Sequence, residues 1–159
     1  MLRIHLREEA GAPGERTRLR ARYHNAGTEP LALTFWWNRV MQVRDADGRL
    51  VSPGPGPVLP CGAMETWEVL APGESVDRDE PLLCTQPAGL AAPVGWAYAL
   101  GPGRWRVVLV YESPAPHGFS QSPPHPLAFK GRVESNEVTL TVAPSPPTGL
   151  RALLARLLR

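Results

Sequence analysis

The chain has 159 residues, enough for one domain that buries well over half of its unfolded surface without help from a metal or a disulfide. Apolar residues make up 43% and charged residues 20%, an ordinary globular balance, but 19 Pro and 15 Gly exclude a mainly helical protein and belong in turns and loops. The formal net charge of +2 is too small to imply a nucleic-acid partner, and no stretch is long and apolar enough to cross a bilayer as a helix.

From the start to Val142 the pattern is period-2 alternation, bounded each time by Gly, Pro, Asn or Asp, as expected of half-buried antiparallel strands. Leu2, Ile4 and Leu6 alternate with Arg3, His5 and Arg7, which breaks any continuous apolar run, so no export signal is expected and a cytoplasmic location follows. A second strand sets Leu19, Ala21 and Tyr23 against Arg18, Arg20 and Arg22. The turn Asn25-Ala26-Gly27-Thr28-Glu29-Pro30 reverses the chain into a strand with Leu31, Leu33, Phe35 and Trp37 on one face, which makes Trp37 the core tryptophan.

A short edge strand is expected from Val40 to Arg44, followed by the hairpin Asp45-Ala46-Asp47-Gly48 and a returning strand at Leu50 and Val51. The prolines of residues 52–62 cannot join a ladder, so this stretch is loop, and strand pattern resumes over residues 65–70. Ala71-Pro72-Gly73-Glu74 has the residues of a type II turn and leads into a strand over residues 75–83. After an irregular apolar stretch, Leu100-Gly101-Pro102-Gly103 turns into residues 104–112, whose two faces are both largely apolar, the mark of a central strand. The last strand is expected at residues 136–142, with a long Pro-, His- and Ser-rich insertion at 113–128 before it.

Beyond Pro144-Ser145-Pro146-Pro147 the period changes, with Leu150, Leu153, Leu154, Leu157 and Leu158 at helical spacing and Arg151, Arg156 and Arg159 off that stripe. The expected organisation is an all-β antiparallel domain over residues 1–143, then a Pro-rich linker and a short C-terminal amphipathic helix over 144–159. A helix of about ten residues is marginal alone and needs a surface. Its own sheets, a second copy in a homodimer, a partner groove or a membrane surface could each supply one.

The order Asn25-x-Gly27-x-x-Pro30-Leu31, Val43 to Gly48, Leu70-Ala71-Pro72-Gly73-Glu74 and Leu100-x-Pro102-Gly103-x-Trp105-x-Val107 resembles bacterial immunoglobulin-like domains of the intracellular proteinase-inhibitor type. That resemblance covers a little over half the chain and implies an antiparallel immunoglobulin-like β-sandwich. It also implies a protein partner of protease type, and it carries no specific functional residue with it. Residues 52–62, 113–128 and the C-terminal segment depart from the pattern.

No G-x-S-x-G, HExxH, P-loop or dinucleotide fingerprint occurs, the acids form no pair, and no cofactor or metal is expected. Asp45 and Asp47 lack the further oxygen ligands of a calcium loop. Cys61 and Cys84 lack zinc spacing. Paired, they would close a loop worth about 3 kcal/mol, which an oxidising compartment would allow and a cytoplasmic one would not. Arg16, Arg18, Arg20 and Arg22, with Arg3 and Arg7 across the pair, would make one sheet face basic unless a cross-strand acid such as Glu68 relieves it.

The binding residues expected are His117, Phe119, Ser120 and His125, all in the 113–128 insertion, with Phe119 as apolar anchor. Pro-rich loops lose little entropy on docking, so the expected function is a non-enzymatic protein-binding module. The alternatives are a serine-protease inhibitor and an assembly subunit that uses the C-terminal helix.

Overall fold

The computed structural model describes residues 1–9, 18–35, 38–51, 66–80, 98, 100–113 and 125–142. Within them the chain forms ten strands, β1 (Leu2–Glu9), β2 (Arg18–Asn25), β3 (Leu31–Thr34), β4 (Arg39–Arg44), β5 (Leu50–Val51), β6 (Trp67–Leu70), β7 (Ser75–Glu80), β8 (Gly103–Ser113), β9 (Gly131–Glu134) and β10 (Val138–Val142). These residues contain no helix. The Leu stripe at 150–159, Cys61, Cys84, Trp37 and the Pro-rich run 52–62 lie outside the described residues.

The first sheet has the order β1-β2-β7, all antiparallel. Alternation assigns its faces as the sequence suggests: Leu2, Ile4 and Leu6 are buried beside Leu19, Ala21 and Tyr23, while Arg3, His5 and Arg7 point to solvent. The second sheet has the order β10-β8-β4-β5, with β9 also paired to β8. Its central strand is β8, as two apolar faces predict. The expected edge strand is displaced inward, because β4 lies between β8 and the two-residue strand β5, which takes the edge.

The expected single last strand is two. Val110 pairs with Glu134 and Val107 with Val138, so Ser135, Asn136 and Glu137 stand opposite Val108 and Leu109, one residue more than the ladder needs. This bulge is tied down by Ser135, whose N–H donates to the Leu109 carbonyl (2.9 Å) and whose hydroxyl accepts the Leu109 N–H (3.0 Å). It also frees Asn136 to act as a strand partner for β1. The Leu6 N–H donates to Asn136 Oδ1 (2.8 Å) and Asn136 Nδ2 donates to the Leu6 carbonyl (2.9 Å), joining the two sheets. Asn136→Ala strands both Leu6 groups, so a loss of about 2 kcal/mol is expected in urea unfolding, whereas a substitution at the exposed Glu137 leaves the midpoint unchanged.

The third pair, β3–β6, meets β8 at Tyr111, whose hydroxyl accepts the Thr34 N–H. There the chains that flank β8 converge: the Ala32 N–H donates to the Leu127 carbonyl (2.7 Å) and the Phe129 N–H to the Ala32 carbonyl (3.0 Å), a parallel bridge. All four residues of β3 are therefore buried, and the simple alternation expected for this strand does not hold. The Asn25 side chain fixes the turn before β3, donating to the Leu70 and Glu29 carbonyls (3.0 and 2.8 Å) and accepting the Gly27 N–H (3.0 Å). Gly48 and Gly73 close their turns with φ of 83° and 80°, the left-handed conformation for which both turns select glycine.

One core joins the sheets, with Leu6, Leu19 and Tyr23 from the first and Val43, Val107, Leu109, Tyr111 and Leu140 from the second. Its aromatic part is built edge to face. Tyr23 lies 4.9 Å from Phe35 and 6.1 Å from Tyr111, which lies 5.9 Å from Phe129.

Candidate functional site

Register places the ends of the long Pro-rich segments together. Glu9 pairs with Arg18 next to Leu19 and Glu80, so segment 10–17 is anchored beside the point where 81–97 departs. Glu80 contacts Arg39, Arg39 pairs with Tyr111, and Ser113, two residues on, precedes segment 114–124, while His125, which follows it, packs on Trp67. Trp67, where the chain returns from 52–65, pairs with Thr34, whose N–H donates to the Tyr111 hydroxyl (3.1 Å). Glu9, Arg18, Glu80, Ser113 and Trp67 thus lie toward one end, whereas Val51 and Tyr98, which flank 52–65 and 81–97 on their other sides, lie with Val43 and Met41.

Beneath that end lies a buried polar cluster that the sequence reading does not foresee. Glu80 faces inward because β7 alternates Val76, Arg78 and Glu80 on the side of Tyr23, Ala21 and Leu19. Glu80 Oε1 accepts from the Tyr23 hydroxyl (2.9 Å) and from Arg39 Nη1 (2.7 Å). The Arg39 Nε donates to the Phe35 carbonyl (2.7 Å), and the guanidiniums of Arg39 and Arg78 lie 5.5 and 5.0 Å from the Phe35 ring. Arg78 is in turn held by Glu68. Burial pushes the Glu80 carboxyl above its ordinary value, against the pull of Arg39, and burial followed by the Glu80 charge pushes the Tyr23 phenol well up.

Of the expected binding residues, His117, Phe119 and Ser120 lie outside the described residues. His125 is described, and it packs on Trp67 with ring centroids 5.8 Å apart. Its Nδ1 accepts the Leu127 N–H (3.2 Å) and its carbonyl accepts the Ala128 N–H (2.8 Å), so it shapes the turn that delivers Leu127 and Phe129 to β3. Around it Leu127 is 42% and Val69 46% exposed, an apolar surface at the loop-bearing end. Trp67, Val69 and Leu127 are absent from the sequence-derived site, and the link between them, Ala32 pairing with Val69 on one side and bridging to Ala128 on the other, leaves no local signature.

Comparison with known proteins gives no match: no family model fits the chain, and no curated protein or solved structure matches it. Function therefore has to be argued from chemistry. Among the described residues no group of three or more His, Cys, Asp and Glu could hold a metal, and no helix is long and apolar enough to cross a membrane.

Within the arginine ladder, Arg20 and Arg22 are paired, by different acids than expected. Arg22 makes a bidentate pair with Asp77 (2.9 and 3.0 Å), and Arg20 lies between Glu9 (3.6 Å), Asp79 (3.9 Å) and Asp77 (4.0 Å). Hydrogen bonding from Arg22 lowers the Asp77 pKa. Glu68 faces the other way, toward Arg78, because β6 belongs to a different sheet. Around Arg20 and Arg22 the face is therefore of mixed sign, which weakens its attraction for a polyanion there.

Proposed function

We propose that the chain is a non-enzymatic protein-binding module of the immunoglobulin-like sandwich class, which grips its partner with Pro-rich loops at one end. The observation that carries this reading is the convergence of Glu9, Arg18, Glu80, Ser113 and Trp67, the described residues next to segments 10–17, 81–97, 114–124 and 52–65, around the Tyr23–Glu80–Arg39 cluster. A rigid floor beneath loops whose φ is pre-set by proline lowers the ordering cost of docking. Exposed Leu127 and Val69, next to Trp67 and His125, add apolar area of the kind that anchors protein interfaces.

The test is affinity capture from lysate of the source organism, with the intact chain beside a variant in which 114–124 is replaced by a short Gly-Ser linker. The intact chain is expected to retain a partner that the variant loses at least tenfold, while both unfold at similar urea concentrations. A protease as that partner would specify the inhibitor reading suggested by the sequence resemblance. Equal capture by both proteins would contradict the loop reading.

A further inference from the structure

We propose that the edge of β6 docks an extended segment of a partner protein, which adds a third strand to the β3–β6 pair through the main chain of Trp67 and Val69. This rests on the protein-binding reading above and names both the partner's conformation and the element that takes it.

The main-chain directions follow from hydrogen bonds made on the far side of β3. The Ala32 N–H donates to the Leu127 carbonyl, the Ala32 carbonyl accepts the Phe129 N–H, and the Thr34 N–H donates to the Tyr111 hydroxyl, so these groups point away from β6. In an antiparallel pair such residues stand in non-hydrogen-bonded positions, here Ala32 opposite Val69 and Thr34 opposite Trp67. Val69 and Trp67 therefore aim their own N–H and C=O groups away from β3, and among the described residues nothing pairs with them. The free stretch ends at Ala71, whose N–H donates to Glu74 Oε2 (2.8 Å).

Other sheet edges are closed by side chains. On β1, Asn136 takes both main-chain groups of Leu6, and on β4 the Tyr98 hydroxyl donates to the Met41 carbonyl. On β7, Arg78 Nη1 donates to the Asp77 carbonyl (3.1 Å), and Asp77 and Asp79 add charge to the edge. Among the described residues β6 has no such guard, although Val69 is 46% exposed and Trp67, on the same face, is half-buried. An unpaired main-chain edge of this kind accepts one sort of occupant, an extended chain.

Register sets the character of that chain. Its residues opposite Val69 and Trp67 form the hydrogen-bonded pairs and share their face, so both are apolar, and the residue between them stands opposite Glu68. The carboxylates of Glu68 and Glu74 outnumber the Arg78 guanidinium that Glu68 holds, which favours Lys or Arg at the middle position. A second copy of the chain fits poorly. Pairing Trp67 with Val69 of a copy sets Glu68 against Glu68, and like charges directly opposite destabilise a sheet.

The probe is the acetylated and amidated peptide Thr-Val-Lys-Val-Thr, titrated into the full isotope-labelled chain, with binding read from the NMR shifts of the Trp67 backbone and indole N–H groups. Saturable shifts are expected. N-methylation of both valines, which blocks their hydrogen bonds to β6, is expected to abolish them, whereas N-methylation of the lysine, whose N–H faces away from β6, leaves them in place. Val69→Pro removes an edge donor and no ladder bond to β3, so about tenfold weaker binding is expected at an unchanged urea midpoint. Equal binding of the two methylated peptides, or no saturable shift with the parent peptide, would overturn the proposal. So would a dimer of the unliganded chain that Val69→Pro dissociates, which would give the edge to a second copy. The variant with 114–124 replaced is expected to bind the peptide as the intact chain does, so this proposal and the loop reading fail separately.

Discussion

Glu80→Ala is expected to cost about 3–5 kcal/mol of folding stability, because it leaves the Arg39 guanidinium and the Tyr23 hydroxyl without their shared acceptor in a site where Glu80 itself is 5% exposed. The measurement is urea unfolding of the two proteins at one pH. Removing both charges together, as Arg39→Met with Glu80→Leu, is expected to cost much less than either single change, since neither partner is then buried alone. A double variant as unstable as the sum of the singles would mean that the two residues act separately.

The same carboxylate gives stability a definite pH dependence. Its folded pKa is raised above the ordinary 4.5, chiefly by burial, so the native state holds this proton more tightly than the unfolded chain. The stabilisation is fully present below 4.5 and is lost as pH rises through the higher folded value. The stability of the intact protein relative to Glu80→Gln should therefore fall as pH is raised from 4 toward neutrality. Asp77 works in the opposite direction, its pKa being lowered by Arg22, so it is the comparison with Glu80→Gln that isolates the buried group.

Tyr111→Ala is the second large effect, also about 3–5 kcal/mol, as for other fully buried aromatic truncations. Its ring packs against Tyr23 and Phe129, and its hydroxyl accepts the Thr34 N–H where β3 passes the end of β8. Tyr111→Phe keeps the packing and loses only the hydroxyl, for which about 1–2 kcal/mol is expected. Thermal unfolding of the two variants separates the terms. A Phe variant as damaged as the Ala variant would place most of the energy in the hydrogen bond.

Elements whose side chains face one core and one solvent layer were legible in the sequence. β1 and β2 follow their alternation, β8 was legible as a central strand from its two apolar faces, and the Gly48 and Gly73 turns follow from residues that tolerate positive φ. Legibility failed where a neighbour distant in sequence decides. The strand Ser75–Glu80 reads as almost wholly polar, and only its pairing with β2 and the approach of Arg39 make Glu80 an interior residue. The pattern of β9 was hidden by one extra residue at Ser135–Asn136, which shifts the period between β9 and β10. Arg20 and Arg22 were read as neighbours on one ladder, but their acids lie on β7 and at Glu9 of β1, pairings that no local spacing announces.

For the candidate site, His125 was legible as part of an unusual loop, while its place against Trp67 depends on how the turn at 125–128 meets β3. Two similarly exposed leucines allow a direct test of the central claim, since Leu127 (42%) lies at the loop-bearing end and Leu50 (58%) lies on the edge strand β5 opposite Arg44. A photo-crosslinking amino acid would be introduced at each position in turn, followed by irradiation in lysate of the source organism and mass spectrometry of the adducts. The account predicts a defined protein adduct from position 127 and none from position 50. An adduct from position 50 alone would contradict it.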